Sequence, residues 1–387
     1  MVSCRGTVRA VPGEIQVRPV EGRRELTRFI KLPFRLHEGT PWVPPLISER
    51  RQFLDRSKNP FFQHAEAEYF LAWRDGRPVG RITAQVDPRW DEYQGGRDGQ
   101  FGFIDGENDP EVFDALFAAA EDWVRGKGRE RLIGPMDFTT NDEVGLLIEG
   151  YERRPMILEP WHPTYYREQL ERLGYAKKMD LLMWYLRMGE LKEGLQFHPA
   201  IHEAAEKVSS EHGITVRNMR RSDLDAEISR FMEVYNSAWE TNWGFVPVDE
   251  AEVQFQAKNL KQILDEHWTF IAEKGDEVVG AALTLPDINQ VLAKLNGRLL
   301  PFGWLKFLLG KRKIDEVRVF ALGVKPDYQH TGVAASFYIK HIEATDPDGV
   351  MSGEQGWILE TNAPMNRAME GMGGKVVKRY RLYEKFL

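Results

Sequence analysis

The chain is 387 residues long, with 42% hydrophobic and 29% charged residues and a formal net charge of −7. That composition can build full cores and excludes a disordered chain, while the acidic balance speaks against nucleic-acid binding as a main task. One cysteine, Cys4, excludes an intrachain disulfide and a cysteine zinc site.

The N-terminus lacks the apolar core of a signal peptide. The longest apolar run, Leu299 to Leu309, is about half of a bilayer span, so a cytoplasmic protein without stable membrane insertion is expected. The length suggests two domains, and the chain repeats itself about 200 residues on. Ile15-Gln16-Val17-Arg18 returns as Ile214-Thr215-Val216-Arg217. Phe70-Leu71-Ala72, a charged turn and Val79-Gly80 return as Phe270-Ile271-Ala272, a charged turn and Val279-Gly280. Leu173-Gly174-Tyr175 returns as Met372-Gly373-Gly374. Two domains, 1–195 and 196–387, are expected. In the first, a strand is predicted over Gln100 to Asp105 and a helix over Glu111 to Val124, with Asp109 as N-cap and Pro110 at the first helical position.

Past the midpoint, His198 and His202 stand at i and i+4. Pro199 puts His198 at a helix start and no third ligand is evident, so no metal is expected. Trp239-Glu240-Thr241-Asn242-Trp243 and Pro286-Asp287-Ile288-Asn289 set tryptophans among polar groups, the make-up of an apolar pocket with a few fixed hydrogen bonds. Alternatively, Trp239 and Trp243 form a core-facing helical stripe. Trp239, Trp243, Asp287, Asn289 and Arg318 are the substrate-binding candidates. Leu299 to Gly310 reads as a helix covering the core, or as an apolar lid or lipid-facing surface. Lys311-Arg312-Lys313 reads as a solvated rim. Arg318 to Val324 reads as a buried strand, Lys325 to Tyr328 as a proline-bearing turn, and Gln329 to Ala334 as a small-residue loop opening a helix. The first N–H groups of a helix lack intrahelical partners and carry partial positive charge, which favours an anion. Gly332 and Ala334 leave room for a phosphate at the backbone. A strand to Asn362, a helix over Ala363 to Met372, Gly373-Gly374 and a last strand over Lys375 to Leu387 complete the order.

The spacing Gln329-x-x-Gly332-x-Ala334 resembles the coenzyme A pyrophosphate signature of the GNAT acyltransferases. Leu322-Gly323-Val324 before it, and the strand, Asn362, short helix and long strand after it, are similar to the rest of that family's C-terminal half. The resemblance implies an α/β fold of two tandem GNAT domains, each a mixed, mostly antiparallel sheet flanked by helices. Asn242-Trp243-Gly244-Phe245 with Pro286-Asp287-x-Asn289 resembles a bacterial subgroup of such proteins. The implied co-substrate is acetyl-CoA or another acyl-CoA, with Leu322, Gly323, Val324, Gln329, His330, Thr331, Gly332, Val333, Ala334, Asn362 and Asn366 as coenzyme contacts. A bulge within Phe320 to Val324 would free an N–H at Leu322 or Val324 for the thioester. In the first half Asp105, Glu107 and Asp109 stand where phosphates would lie, so that half is expected to be degenerate and to shape the acceptor pocket or the interface.

Many family members carry a tyrosine on the last helix as acid. Here that position is Met369, which cannot donate a proton, and Tyr380 and Tyr383 are the substitute hydroxyls. Alternate strand positions put Glu316, Arg318, Phe320 and Leu322 on one face. Glu316 and Glu354 are the candidate bases, with Glu360 as a rival. The expected activity is acetyl transfer to a small-molecule or peptide amine by direct attack on the thioester. Two alternatives stand beside it: a silent coenzyme A-binding regulator, favoured by Met369, and a tRNA-dependent aminoacyl transferase, disfavoured by the acidic balance. A homodimer is compatible with each.

Overall fold

A single run of backbone hydrogen bonding links thirteen strands in the computed structural model, which describes residues 13–187, 199–261, 263–345 and 352–387. The expected boundary at 195/196 and His198 lie outside the described residues. The first half contains β1 (Gln16–Pro19), α1 (Gly22–Leu36), α2 (Ile47–Phe53), β2 (Glu66–Arg74), β3 (Arg77–Val86), α3 (Pro88–Gln94), β4 (Asp98–Gly106) and α4 (Pro110–Gly126). It continues through β5 (Arg131–Gly134), β6 (Leu146–Glu149), α5 (Tyr165–Arg172) and β7 (Ala176–Leu186). The second half contains α6 (Pro199–Ser210), β8 (Thr215–Asn218), α7 (Leu224–Ala238), α8 (Glu250–Leu260), β9 (Thr269–Lys274) and β10 (Glu277–Pro286). After these come α9 (Asn289–Leu292), α10 (Gly303–Lys311), β11 (Glu316–Val324), α11 (Val333–Glu343), β12 (Ser352–Leu359), α12 (Ala363–Gly371) and β13 (Lys375–Phe386).

Local chemistry accounts for many boundaries. Asp75 and Gly76 both have positive φ, 49° and 73°, the type I′ combination whose twist suits the β2–β3 hairpin. The Asp109 carboxylate accepts from Glu111 N at 3.0 Å and Pro110 opens α4, as the sequence led us to expect. Asp249 and Glu252 form a reciprocal capping box at the start of α8. No helix among the described residues is long and apolar enough to cross a membrane.

The strand order is β1-β2-β3-β4-β5-β13-β7-β12-β11-β10-β9-β8, with β6 also paired to β13. Read from either edge, each half supplies five strands and then receives the last strand of the other. β13 lies between β5 and β7, pairing Tyr383 with Gly134 and Tyr380 with Leu181. β7 in turn pairs with β12. This exchange puts a shared core at the seam, where Met179, Leu181 and Met183 of β7 meet Tyr380 and Leu382 of β13.

Candidate functional site

β11 and β12 run parallel, paired over Glu316–Val319 and Ser352–Gln355. On its other edge β11 slips register: Leu283 pairs with Ala321 and Thr284 with Val319, which leaves Phe320 as the extra residue of a bulge. The bulge therefore lies at Phe320, the first residue of the stretch Phe320 to Val324 in which it was expected. It also breaks the expected common face. Phe320 and Ala321 both pack with Ile314, while Leu322 packs with Val317 and Val324 on the opposite side. Gly323 lies under the Trp239 ring, where a Cβ would come within 2.2 Å of it.

The loop beyond β11 is a 3₁₀ turn, Pro326–Thr331, closed by Gly332 at φ 85° as N-cap of α11. Ser336 N to Gly332 O, 3.0 Å, closes the first turn of α11, so the N–H groups of Val333, Ala334 and Ala335 precede the ladder. Gln329 and His330 are exposed, and Gln329 donates to Val324 O at 3.4 Å; Thr331 and Val333 are buried. Gly332 does not stand open as expected. A Cβ there would come 2.2 Å from the Ala204 carbonyl oxygen of α6, so its small size serves helix packing. Asn362 caps α12 by accepting from Met365 N at 3.2 Å. Asn366 accepts from Trp184 Nε1 at 2.9 Å and donates to Leu359 O at 3.0 Å, which ties α12 to the seam. Met369 is fully buried. A hydroxyl the sequence reading passed over, Tyr338 on α11, lines a gap of about 30 Å³ with Val319, Leu322 and His341, and burial pushes it up to about 12.

A cavity of about 450 Å³ lies between the halves and opens against Phe320. Trp42, Phe53 and Trp161 from the first half face Phe255, Leu292 and Phe307 from the second across it. Glu49, Asp137, Asp142, Glu143 and Glu159 add carboxylates to this wall. Arg50 pairs with Glu143 and stands 3.8 Å from Asp137. Burial raises Asp142 to about 7 against the hydrogen bonds from Thr139.

Beneath the cavity runs a buried ion chain. Lys378 Nζ bridges Glu159 at 2.8 Å and Glu354 at 2.7 Å, and Arg318 Nε stands 3.7 Å from Glu159 Oε1. Arg318 also donates to the carbonyls of Ile157 and Gly356. Burial and the charge of Glu159 raise Glu354, while Lys378 opposes them. Burial works against ionisation of Glu159, but Lys378 and Arg318 hold it below the ordinary range. Three buried polar atoms here make no hydrogen bond: Glu159 Oε1 and Arg318 Nε, which face each other only at the 3.7 Å ion-pair distance, and Tyr380 OH. Of the residues expected from sequence, the substrate-binding candidate Arg318, the candidate base Glu354 and the candidate acid Tyr380 thus gather around a residue that was missed, Glu159. Asp287 lies beside the chain, accepting from Arg154 at 2.6 Å, and burial raises it to about 6. Glu316 accepts from Tyr185 OH at 3.3 Å and stands 3.7 Å from Arg154.

Other candidates are elsewhere. Glu360 accepts from Lys177 at 2.6 Å and from Asp180 N at 3.0 Å, a peripheral pairing. Tyr383 donates to Glu171 at 3.2 Å from the first-half core. α7 ends at Ala238, so Trp239 and Trp243 share no helical stripe; Trp239 stacks on Tyr235 at 4.8 Å and Trp243 meets Trp90 edge-on at 5.9 Å. Neither lines the cavity, whereas Asn289 does, donating to Pro155 O at 2.9 Å. Among the described residues one group, His64, Asp249 and Glu252, is close enough for a metal ion, but Arg89 already stands in it, 3.1 Å from His64 and from Glu252 and 3.2 Å from Asp249.

The equivalent region of the first half is filled by its own side chains. β3 and β4 slip register between Arg81 and Thr83, with Phe103 at φ 47°. Asp137 accepts from Phe103 N at 2.7 Å, so a carboxylate takes the bulge N–H. Tyr166 OH accepts from Gly106 N at 2.8 Å and Tyr165 OH donates to Gly106 O at 2.7 Å. The expected acidic repulsion needs correction. Asp105 turns inward to His37 and Arg81, Glu107 pairs with Arg35 and Arg77, and Asp109 pairs with Arg74.

No protein-family model matches the chain. It is 39% identical over 383 residues to the bacterial ceramide synthase of Caulobacter vibrioides, covering 97% of this chain and 98% of that protein. It is 38% identical over 377 residues to protein YghO of Escherichia coli K12, covering 95% of each. Among solved structures it is similar to a tandem GNAT protein from the clavulanic acid biosynthesis pathway, at a TM-score of 0.55 and 12% identity, over 96% of this chain and 98% of that one. A GCN5-related N-acetyltransferase from Sphaerobacter thermophilus matches with a TM-score of 0.53 and 15% identity over 97% of both chains. These two structures share the fold.

Proposed function

This chain belongs to the tandem GNAT acyltransferase family of the Caulobacter ceramide synthase and YghO, and from that premise we propose that it transfers an acyl group from coenzyme A to the amine of a long-chain amino alcohol. The observation that carries the reading is the largely apolar cavity of about 450 Å³ ending at the Phe320 bulge beside Glu159. An aliphatic chain suits its walls, and an amine suits Glu159 Oε1, which accepts no hydrogen bond and has Arg318 only at ion-pair distance. The relative's name favours a fatty acyl donor over the acetyl group suggested by the sequence.

In the proposed mechanism, residues 196–387 hold the coenzyme, with the pyrophosphate at the first turn of α11 and the thioester carbonyl at the Phe320 bulge. Glu159, held below the ordinary carboxylate range, anchors the ammonium group and passes its proton on rather than keeping it, as the apolar cavity lowers the amine's own affinity. Glu354, whose proton affinity is raised and which shares Lys378 with Glu159, is the second carboxylate of that relay. The neutral nitrogen attacks the carbonyl carbon; as the C–S bond breaks, the nitrogen sheds its second proton and the thiolate takes up one, a transfer that Tyr338, the hydroxyl lining the β11–β12 gap, would pass on without net change. Backbone N–H groups at the bulge stabilise the oxyanion. The products are one amide and one free coenzyme A. The first half, 1–195, acts as a degenerate GNAT domain that walls the acceptor cavity.

The test incubates the purified protein with sphinganine and acetyl-, octanoyl- or palmitoyl-CoA, following thiol release and amide mass. The expected outcome is amide formation with a long-chain donor. Coenzyme binding without thiol release or amide would instead support the silent regulator, the second reading that buried Met369 favours.

A further inference from the structure

Of the eight large hydrophobic side chains exposed among the described residues, six lie between residues 300 and 309. Leu300 is 77% exposed, Phe302 73%, Trp304 50%, Leu305 45%, Leu308 55% and Leu309 57%. Burying so many apolar groups elsewhere is the usual outcome of folding, and a concentration of this kind marks an interaction surface. The geometry of α10 explains which face is committed. Phe307 packs into the second-half core and Gly310 sits against Val291, while Trp304, Leu305, Leu308 and Leu309 point away. Leu299 and Phe307 also line the large cavity, so the outer patch continues into it. The charge is equally uneven. Residues 289–314 contain Lys294, Arg298, Lys306, Lys311, Arg312 and Lys313 and no Asp or Glu, in a chain of net charge −7.

We propose that α10 and its flanking basic residues dock the protein onto an anionic lipid bilayer, with the helix lying in the interface and the cavity mouth toward the acyl chains. An interfacial helix joins an apolar face to Lys and Arg that meet acidic headgroups, and this segment has both. Continuity with the cavity gives docking a purpose, since a long-chain amine passes from lipid to active site without crossing water. This purpose rests on the reading of the acceptor given above; the docking itself rests on the patch and its charge.

The experiment floats the full-length protein with vesicles of phosphatidylcholine alone and of phosphatidylcholine with phosphatidylglycerol. Wild type is expected to float with the anionic vesicles and to release as salt is raised. The Leu305→Ser, Leu308→Ser, Leu309→Ser triple variant is expected to lower the floated fraction at least tenfold. The Lys306→Glu, Arg312→Glu, Lys313→Glu variant is expected to do the same on anionic vesicles, and all of these positions are exposed, so thermal melting is expected to match wild type. Wild type staying at the bottom of both gradients overturns the proposal. So does light scattering that finds a wild-type dimer made monomeric by the triple serine variant, because a second copy would then cover the face. Acylation of vesicle-borne sphinganine should fall in both variants while acylation of a water-soluble short-chain amino alcohol is unchanged. Flotation without acylation of any amine would leave docking standing and sink the acyltransferase reading.

Discussion

A carboxylate one per cent exposed and short of one hydrogen bond is costly unless something else meets it, and Glu159 is such a group. Its separation of 219 residues from Lys378 explains why no sequence pattern revealed it. The pairing exists only because β13 is delivered into the other half's sheet. Glu354 and Arg318 were legible as polar residues on inward-facing strands, but their common partner lies in an irregular segment without periodicity. Glu159→Gln keeps the shape and removes the charge that balances Lys378 and Arg318. We expect kcat/KM for the amine to fall by on the order of 10²-fold, the scale of a lost acid–base group. Coenzyme A affinity should stay within about twofold, a difference of about 0.4 kcal/mol. Calorimetric titration with coenzyme A beside steady-state kinetics checks this. Equal losses in both would mean that Glu159 supports the fold without serving the acceptor.

The elements themselves were largely visible in the sequence. Hairpins at 66–86 and 269–286 follow from the repeated apolar pairs around charged turns, and α4 from its cap and proline. What periodicity could not supply was the bulge, because one extra residue at Phe320 reverses the face of everything after it. Gly323 shows the consequence, since its bare backbone is what admits Trp239. Gly323→Ala should cost about 1–3 kcal/mol, as overpacking does, measured as a lower urea midpoint. Adding Trp239→Leu should recover part of that loss, and simple additivity of the two would place the clash elsewhere. The loop before α11 needs a different test, because a side chain at Gly332 would strike α6 and unfold local packing whatever the coenzyme does. Gln329→Glu with His330→Glu adds charge at exposed positions beside the helix start. Coenzyme A binding should weaken at least tenfold, about 1.4 kcal/mol. Asp109→Asn, at the start of α4, should leave it unchanged.

At the scale of the whole molecule, two repeats related by about 200 residues are legible, but their exchange of last strands is not, since strand partners far apart in sequence leave no local mark. The cavity follows from that exchange, and its walls stay together only while the halves do. A second tie between them is ionic: His64, Asp87 and Arg89 of the first half meet Asp249 and Glu252 at the start of α8, which carries Phe255 to the cavity. Burial works against charging His64, but hydrogen bonds to Asp87 and Glu252, with the charge of Asp87, outweigh it and Arg89's opposition, raising it to about 9. A group held above its ordinary value of about 6.5 stabilises the fold fully below that value. The contribution is lost as pH rises through about 9. Stability of wild type should therefore decline between about pH 6.5 and 9, and His64→Gln should flatten the decline while lowering stability at pH 6. Urea unfolding followed across that range decides it. An unchanged slope in the variant would assign the decline to other groups and leave this contact as packing alone.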